Sequence, residues 1–164
     1  MLLGMEPPTE GRILINERDL RHIADDEMQQ YRRNLGVVFQ DSKLLPNKTV
    51  FENAAYALEA CDYSLSQIAE LVPQALEIVG ISHLQDQYPH ELSGGEAQRA
   101  ALVRAVVHKP KLVIADEPTG NLDLENAKQV LKNLVKINLA GATVILTTHN
   151  KPLVEMIGQK VVYI

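Results

Sequence analysis

Short segments dominated by apolar residues alternate along the chain with longer stretches in which apolar residues recur every three or four positions. The short segments predict β-strands, which fall within 11–16 and at 35–39, 112–115, 142–147 and 160–164. The longer stretches predict α-helices near 25–33, 49–60, 64–80, 94–108 and 124–139, with a short one around 153. Apolar strands separated by helices predict a mostly parallel sheet with helices on both faces, in which 113–115 and 144–146 are the best central strands.

One part of the chain departs from this alternation. Residues from about 49 to 90 hold helical patterns without a convincing strand, so we predict a helical insert there. Thr49 and Glu52 have the spacing of a capping box, which predicts that a helix begins after Thr49. Pro73 is predicted to split or kink the second helix because proline lacks an amide donor, and Gly80 is predicted to end it.

Composition excludes several classes of protein. The formal net charge of −5 and an aromatic content of 4% argue against a nucleic-acid-binding protein, which needs basic and stacking surfaces. Cys61 is the only cysteine, so an internal disulfide and a cysteine-rich zinc site are excluded. No apolar run approaches the ~20 residues of a membrane span, so we expect any membrane role to come through a partner.

Two adjacent carboxylates, Asp116 and Glu117, follow the apolar segment 112–115. Open α/β sheets place their ligands at the carboxyl ends of strands, and hard cations such as Mg²⁺ prefer oxygen ligands. Asp116 could therefore hold a metal, directly or through water, while Glu117 polarises a water molecule. The alternative is an exposed acidic pair that leads into a turn.

The run from Ser93 to Glu96, which includes Gly94 and Gly95, opens a predicted helix. The two glycines allow a ligand to approach the backbone closely, and the free amide groups of a helix N-terminus attract an anion. A phosphate site and a plain capped helix, with Glu96 as the capping-box partner of Ser93, use the same geometry. The pattern alone therefore leaves both interpretations open.

Three further polar residues lie next to predicted strands or helices. Gln40 follows 35–39 and could contact a metal or its water, although a lone glutamine is more often a solvated loop residue. His149 follows 142–147, where a neutral imidazole could donate to a γ-phosphate oxygen or could simply lie at the surface. Asp123 could cap the helix that begins at 124 or contact a second subunit.

In this order, these residues resemble the motifs of the nucleotide-binding subunits of ABC transporters. Gln40 resembles the Q-loop, 92–96 the signature, 112–117 the Walker B segment with its catalytic glutamate, 121–123 the D-loop and His149 the switch histidine. The resemblance covers essentially the whole chain, and a chance match of all five motifs in order is negligible. It implies an α/β fold of the P-loop NTPase (ABC ATPase) type, with ATP and Mg²⁺ as cofactors.

The resemblance also implies residue roles within a head-to-tail homodimer. Glu117 and His149 would be catalytic, with Glu117 orienting water for in-line attack. Asp116 and Gln40 would bind the metal. The nucleotide would lie between the metal-binding residues of one subunit and the signature of the other. The residues implied to bind it are Gln40, Ser93, Gly94, Gly95, Glu96 and Asp123.

Within the family, 116–123 is similar to the group that includes the cell-division ATPase FtsE, the lipoprotein-release ATPases and the macrolide exporters. The segments 47–53, 88–91 and 148–151 favour the FtsE group. That similarity implies an integral-membrane, FtsX-like partner and a peripheral location on the cytoplasmic side of the plasma membrane. It also implies control of cell-wall hydrolysis during division. An ATPase of the lipoprotein-release or macrolide-export type is the alternative.

One motif of the family is missing, because no Gly-x-x-x-x-Gly-Lys-Ser/Thr loop occurs in the 164 residues. We therefore expect the first strands and the phosphate loop to lie upstream of Met1, and the chain alone to be inactive. The domain prediction is a single partial ABC ATPase domain. In it, 1–44 and 109–164 are portions of a RecA-like core, and 45–108 is a helical subdomain with the signature. The missing loop also keeps open a second function, a non-catalytic module that docks on the same membrane partner.

Overall fold

The computed structural model describes residues 2–15 and 18–150, together with Pro152, Val154, Glu155, Gly158 and Val162. The chain divides into two compact units, Met1–Asn34 and Leu35–Ile164. The helix predicted around 153 and the strand predicted at 160–164 fall largely outside the described residues. None of the described helices combines the length and the apolar character that a membrane span requires.

The first unit contains a small hairpin and one helix. Strand β1 (Leu14–Ile15) pairs antiparallel with β2 (Arg18–Asp19). The sequence pattern predicts β1 but not β2, because β2 is polar and only two residues long. Helix α1 (Asp25–Arg33) begins with acidic residues and ends with basic ones, as predicted, and this order complements the helix dipole.

The second unit is built on a three-stranded parallel sheet. In spatial order, its strands are β3 (Leu35–Val38), β4 (Leu112–Asp116) and β5 (Thr143–Thr147). The register pairs Val38 with Ala115 and Asp116 with Thr147, so the three strands end at the same edge of the sheet. The predicted parallel sheet is therefore confirmed, with β4 in the centre. Among the described residues, β5 pairs with β4 alone.

Helices account for most of the remaining second unit. They are α2 (Val50–Glu59), α3 (Leu65–Val79), α4 (Gly94–Val106) and α5 (Leu124–Leu139). The capping box between Thr49 and Glu52 is present as predicted, and it begins α2. Gly80 ends α3 with a φ of 80°, a left-handed conformation that costs glycine little. No strand lies between α2 and α4, which agrees with the predicted helical insert.

Helix α3 corrects one prediction. It runs without a break through Pro73, where the sequence predicts a split or a kink. Val72 and Leu76 are fully buried on either side of the proline, in a cluster that also buries Ile68 and Val79. The predicted split is wrong because this packing outweighs the ~3 kcal/mol that proline costs inside a helix.

The second unit has two hydrophobic clusters that share α4. The first cluster joins α4 to α2 and α3, and the second joins α4 and α5 to the sheet. Helix α4 contributes Ala100 and Val103 to the first cluster and Leu102 and Ala105 to the second. Helix α4 therefore packs against both the helical layer and the sheet.

Candidate functional site

The carboxyl ends of β4 and β5 bring two of the predicted residues against Thr147. The parallel register sets Asp116 opposite Thr147, and the Thr147 hydroxyl donates to Asp116 Oδ1 over 2.6 Å. Glu117 donates its backbone N–H to the Thr147 carbonyl oxygen at 3.1 Å and to the Thr147 hydroxyl oxygen at 3.2 Å. One threonine therefore contacts both carboxylate-bearing residues.

Glu117 has a strained backbone. Its φ of 45° lies in the left-handed region, which costs a non-glycine residue on the order of 1–3 kcal/mol. The bonds to Thr147 hold it on one side, and a 3.0 Å bond from the Gly120 N–H to the Glu117 carbonyl holds it on the other. Strain of this kind persists only where the surrounding structure imposes it, and it concentrates at functional sites.

His149 lies beside the Glu117 carboxylate. Its Nε2 atom is 3.5 Å from Glu117 Oε1. The Glu117 side chain is only 20% exposed, whereas the His149 side chain is 100% exposed. The imidazole is therefore open to a ligand while it contacts the more buried carboxylate.

Gln40 follows β3 and reaches the turn after β4. Its Nε2 donates to Asn121 Oδ1 over 3.3 Å. A Cβ atom on Gly120 would lie 2.9 Å from Gln40 Nε2, so glycine at that position lets the amide approach the turn. The Gly120 N–H also donates to the Glu117 carbonyl, so Gln40 packs against the turn that contains Glu117.

The residues from Ser93 to Glu96 form the start of α4. Glu96 Oε2 accepts from the Ser93 hydroxyl at 2.6 Å and from the Ser93 N–H at 2.8 Å. These bonds lower the pKa of the Glu96 carboxyl and keep it ionised. The capping box expected as the alternative is present. The first intrahelical bond runs from the Ala97 N–H to the Ser93 carbonyl, so the amide groups of Gly94 and Gly95 precede the helical ladder.

Asp123 caps α5 and ties it to α4. Its Oδ1 accepts from the N–H groups of Glu125 and Asn126, and its Oδ2 accepts from Asn126 Nδ2 over 2.6 Å. The bonds from Asn126 contribute most to a lowered pKa of the Asp123 carboxyl. From α4, Arg99 donates to Asn126 Oδ1 over 2.8 Å. A Cβ atom on Gly95 would overlap the Asn126 side chain, so the two helix starts are in close contact.

The predicted site residues therefore fall into two groups. The strand-end group is Gln40, Asp116, Glu117 and His149, which lie at the ends of β3, β4 and β5 or beyond them. The helix-start group is Ser93, Gly94, Gly95, Glu96 and Asp123, where α4 and α5 begin. Within the described part of the chain, no hydrogen bond or ion pair joins the helix-start group to Asp116, Glu117 or His149.

Two residues that contact these groups, Thr147 and Asn126, were not predicted. Thr147 could have been found from its place at the end of an apolar strand in a sheet whose next strand ends in carboxylates. Nothing in the local sequence marks Asn126, because its importance comes from the approach of α4, and that approach depends on tertiary packing.

The strand-end group suits a magnesium ion better than a metal whose ligands must all be protein side chains. Over the described residues, no cluster of three or more His, Cys, Asp or Glu side chains could hold a metal. Mg²⁺ does not need one, because it is usually bound by one or two carboxylates and completes its coordination with water and phosphate oxygens. Asp116 offers a carboxylate, and Gln40 offers Oε1 because its Nε2 donates to Asn121.

Comparisons with known proteins agree with this architecture. Residues 1–120 match the ABC transporter family. The chain is 48% identical over 164 residues to the cell division ATP-binding protein FtsE of Bacillus subtilis (strain 168), covering 100% of this chain and 72% of that protein. It is 44% identical over 154 residues to FtsE of Streptococcus pneumoniae serotype 2, covering 94% of this chain and 67% of that protein.

A solved structure extends the likeness to the fold. It is the dimeric, post-hydrolysis state of an ATP-binding cassette bound to ADP and Pi, and it matches with a TM-score of 0.80 at 30% identity. The match covers 92% of this chain and 68% of that one. It confirms the predicted α/β fold of the ABC ATPase type, whose members bind ATP, usually with Mg²⁺. The chain therefore belongs to the ABC transporter family, as one of its ATPase subunits.

Proposed function

We propose that the chain is the ATP-hydrolysing subunit of an FtsE-like complex that works with an integral-membrane, FtsX-like partner in cell division. The observation that carries the proposal is the 3.5 Å contact between Glu117 Oε1 and His149 Nε2 at the shared ends of β4 and β5. A carboxylate and an imidazole next to a metal-binding carboxylate supply the groups that phosphoryl transfer to water needs. The FtsE relatives support the cell-division context.

In the proposed reaction, Glu117 acts on water and His149 on phosphate. The Glu117 carboxylate accepts a hydrogen bond from a water molecule and aligns it for in-line attack on the γ-phosphorus. As the water oxygen bonds to phosphorus, the bond to the β,γ-bridging oxygen breaks, ADP leaves, and the proton of the water passes to the released phosphate. The exposed His149 ring turns from Glu117 and donates from Nε2 to a γ-phosphate oxygen, where negative charge develops.

Asp116 and Gln40 hold the Mg²⁺ that accompanies ATP. When bound, this ion neutralises charge on the phosphate oxygens. Asp116 contributes a carboxylate oxygen, and Gln40 contributes its amide oxygen. The bond from Gln40 Nε2 to Asn121 supports that role because it directs the amide nitrogen away from the cation.

The helix-start group acts on the nucleotide of the other copy in a head-to-tail homodimer. Helix α4 is 13 residues long, and Gly94 and Gly95 lie in its first turn. Their amide groups offer donors to a γ-phosphate, and the Ser93 hydroxyl joins them when its proton turns from Glu96 Oε2 to the phosphate. Glu96 holds Ser93 in place, and Asp123 fixes the start of α5 beside them. The dimeric cassette among the structural relatives supports this arrangement.

The membrane partner docks on the helical insert from about 49 to 90, together with the loop that follows Gln40. The insert is part of the helical subdomain, residues 45–108, while 1–44 and 109–164 belong to the RecA-like core. This arrangement places the chain peripherally, on the cytoplasmic side of the plasma membrane. Closure of the dimer on ATP, and its release after hydrolysis, is a ligand-driven shift between two states. The membrane partner would convert that shift into control of cell-wall hydrolysis.

The test replaces Glu117 by glutamine in the full-length gene product. Glu117→Gln is expected to keep ATP binding, lower kcat at least about 100-fold and favour the closed dimer. Glu10→Gln, at an exposed position in the first unit, is the matched control and should hydrolyse ATP at the unchanged rate. Ordinary turnover by Glu117→Gln would remove this glutamate from catalysis. If the unchanged protein binds its membrane partner without hydrolysing ATP, the non-catalytic docking module is the correct function.

A further inference from the structure

We propose that Thr147 is a positioning residue, whose hydroxyl orients the Asp116 carboxylate toward the metal that accompanies the nucleotide. The inference rests on the proposed function, because it assigns a task within the same strand-end group. It goes beyond that function because it gives a role to a residue on β5 that neither binds the nucleotide nor reacts.

The hydrogen bonds of the Thr147 hydroxyl fix the direction of its proton. A threonine hydroxyl has one proton to donate and can accept through its lone pairs. Thr147 Oγ1 lies 3.2 Å from the Glu117 amide nitrogen, which can only donate, so the oxygen accepts there. The single proton is therefore free for Asp116 Oδ1, which lies 2.6 Å away and can only accept while the carboxyl is ionised.

This bond gives the two Asp116 carboxylate oxygens different roles. Oδ1 is engaged by Thr147, which restricts rotation of the carboxylate and leaves Oδ2 as the oxygen for a cation. Hydrogen-bond partners of metal-binding carboxylates fix their orientation in this way. The strand register gives the contact its precision, because Asp116 and Thr147 are directly paired across β4 and β5.

The same hydroxyl also supports the strained backbone of Glu117. The Glu117 N–H bonds to both the carbonyl and the hydroxyl of Thr147, at 3.1 and 3.2 Å. A valine at position 147 would keep the β-branched shape and the carbonyl bond but would lose both hydroxyl contacts. A serine would keep the hydroxyl and lose only a methyl group. The pair of substitutions therefore separates the hydrogen bonds from the shape of the side chain.

The expected effect falls on metal binding more than on the maximal rate. Loss of a partner of this kind typically weakens metal affinity or activity by about 10–100-fold. Because Asp116 and Thr147 are exposed to water, which can replace part of the lost bond, we expect the lower end of that range, about tenfold.

The experiment measures Mn²⁺ affinity in the presence of ATP by electron paramagnetic resonance, together with the Mg²⁺ dependence of ATP turnover, in the full-length gene product. Thr147→Val should weaken Mn²⁺ binding about tenfold, and saturating Mg²⁺ should restore most of the turnover. Thr147→Ser should stay within about twofold of the unchanged protein. Thr143→Val, at the other end of β5, is the matched control and should change neither quantity. Thermal unfolding of each variant checks that it is folded.

Two outcomes would overturn the proposal: unchanged Mn²⁺ affinity in Thr147→Val, or an equal loss in Thr147→Ser. Glu117→Gln, measured in parallel, separates this proposal from the function on which it rests. If Glu117→Gln loses turnover while Thr147→Val binds Mn²⁺ normally, only the role of Thr147 is wrong. If Glu117→Gln turns over normally, Glu117 is not catalytic; if the unchanged protein does not hydrolyse ATP, the proposed function is wrong. In either case the Mn²⁺ affinities still decide whether Thr147 orients Asp116.

Discussion

Gln98 donates from Nε2 to the backbone carbonyl of Phe39, the residue before Gln40, over 2.8 Å. Gln98 lies in α4 and is buried, so the helix that carries the signature also holds the end of β3. On the other side of Gln40, Arg104 of the same helix donates to the Ser42 and Lys43 carbonyls at 2.9 and 2.6 Å. The backbone is therefore tied to α4 on both sides of Gln40, within the loop of residues 39–45 that we call the Gln40 loop.

The contact of Arg104 predicts a local change in the Gln40 loop. Ser42 and Lys43 both have left-handed backbones, with φ of 56° and 49°, and such residues need imposed geometry. Arg104→Lys keeps the charge but loses the fork that reaches two carbonyls. We expect amide hydrogen exchange in peptides covering 40–45 to accelerate about tenfold, which corresponds to ~1.4 kcal/mol of local opening.

Arg99 supplies the control for this prediction. It lies on the same helix but donates to Asn126 of α5. Arg99→Lys should leave exchange in 40–45 unchanged. Equal acceleration in both variants would show a general loosening of α4, and no acceleration in Arg104→Lys would show that its guanidinium does not hold the loop.

Two buried asparagines predict opposite effects on stability. Asn53 is fully buried, accepts from the Leu45 N–H and donates to the carbonyls of Leu45 and Lys48. Asn133 is equally buried, but neither of its amide atoms has a hydrogen-bond partner among the described residues. Leucine has nearly the shape of asparagine, so the same substitution isolates the hydrogen bonds.

Asn53→Leu should lower the free energy of unfolding by about 3 kcal/mol, because it leaves buried backbone groups unpaired. Asn133→Leu should raise it by about 1 kcal/mol, because it removes the desolvation cost of an unpaired amide. Denaturant titration of both variants measures the two changes. Destabilisation by Asn133→Leu would mean that its amide has a partner, such as a bound water.

Alanine substitutions at Gly94 and Gly95 should distinguish an effect on folding from an effect on dimerisation. A Cβ atom on Gly95 would overlap the Asn126 side chain, whereas one on Gly94 meets only Leu122 Cδ2, at 3.8 Å. Gly95→Ala should therefore destabilise the fold by about 1–3 kcal/mol through overpacking. Gly94→Ala should fold at least as stably, because alanine favours a helix.

Gly94→Ala tests whether the Gly94 backbone lies in the dimer interface. If the Gly94 backbone approaches the phosphate of the opposite copy, the added methyl group should weaken ATP-dependent dimerisation, as measured by analytical ultracentrifugation, while thermal stability is kept. Normal dimerisation of Gly94→Ala would contradict the proposed approach of this backbone to a nucleotide.

His108 predicts a dependence of stability on pH. Its Nε2 lies 3.1 Å from the Leu35 carbonyl, and its Nδ1 is buried without a partner in the described structure. Burial lowers the pKa of His108 below its ordinary value of 6.5. The unfolded chain therefore takes up the proton first as the pH falls. Stability should decrease below about pH 6.5, until the pKa of the folded state is reached, and stay level above this range.

His108→Gln tests the origin of this dependence, because glutamine can still donate to Leu35 but does not titrate. The difference in unfolding free energy between the unchanged protein and His108→Gln should shrink from pH 7.5 to pH 5.5. His83→Gln, at an exposed position in a short 3-10 turn, provides the comparison. A constant difference across this pH range would show that His108 does not cause the loss.

Much of the fold was predictable because its determinants are local. Thr49 and Ser93 carry side chains that cap the helix beginning directly after them, so residue spacing alone locates α2 and α4. Apolar runs located β3, β4 and β5 for the same reason. The break expected at Pro73 did not occur, since that outcome depends on packing against α2 and α4, which the local pattern does not contain.

In the candidate site, too, local features could be predicted and contacts between distant elements could not. Asp116 and His149 could be found because Asp116 ends an apolar strand, His149 lies two residues beyond another, and parallel strands end at one edge of a sheet. Thr147 could have been placed near the carboxylates by the same reasoning, but its hydrogen bonds and those of Asn126 could not be derived, because each depends on the exact distance between two elements. The pairing of Gln40 with Asn121 joins residues 81 positions apart, and only the assembled sheet brings them together.

The left-handed backbone of Glu117 has a consequence for engineering. Glycine adopts that conformation without the steric penalty, so Glu117→Gly would relax the turn after β4. A screen that rewards heat resistance would therefore tend to enrich glycine at this position, whereas the proposed catalytic role of Glu117 predicts that a screen for ATP turnover would eliminate it. Variants improved for survival at high temperature should thus be sequenced at codon 117 before their enzymology is compared.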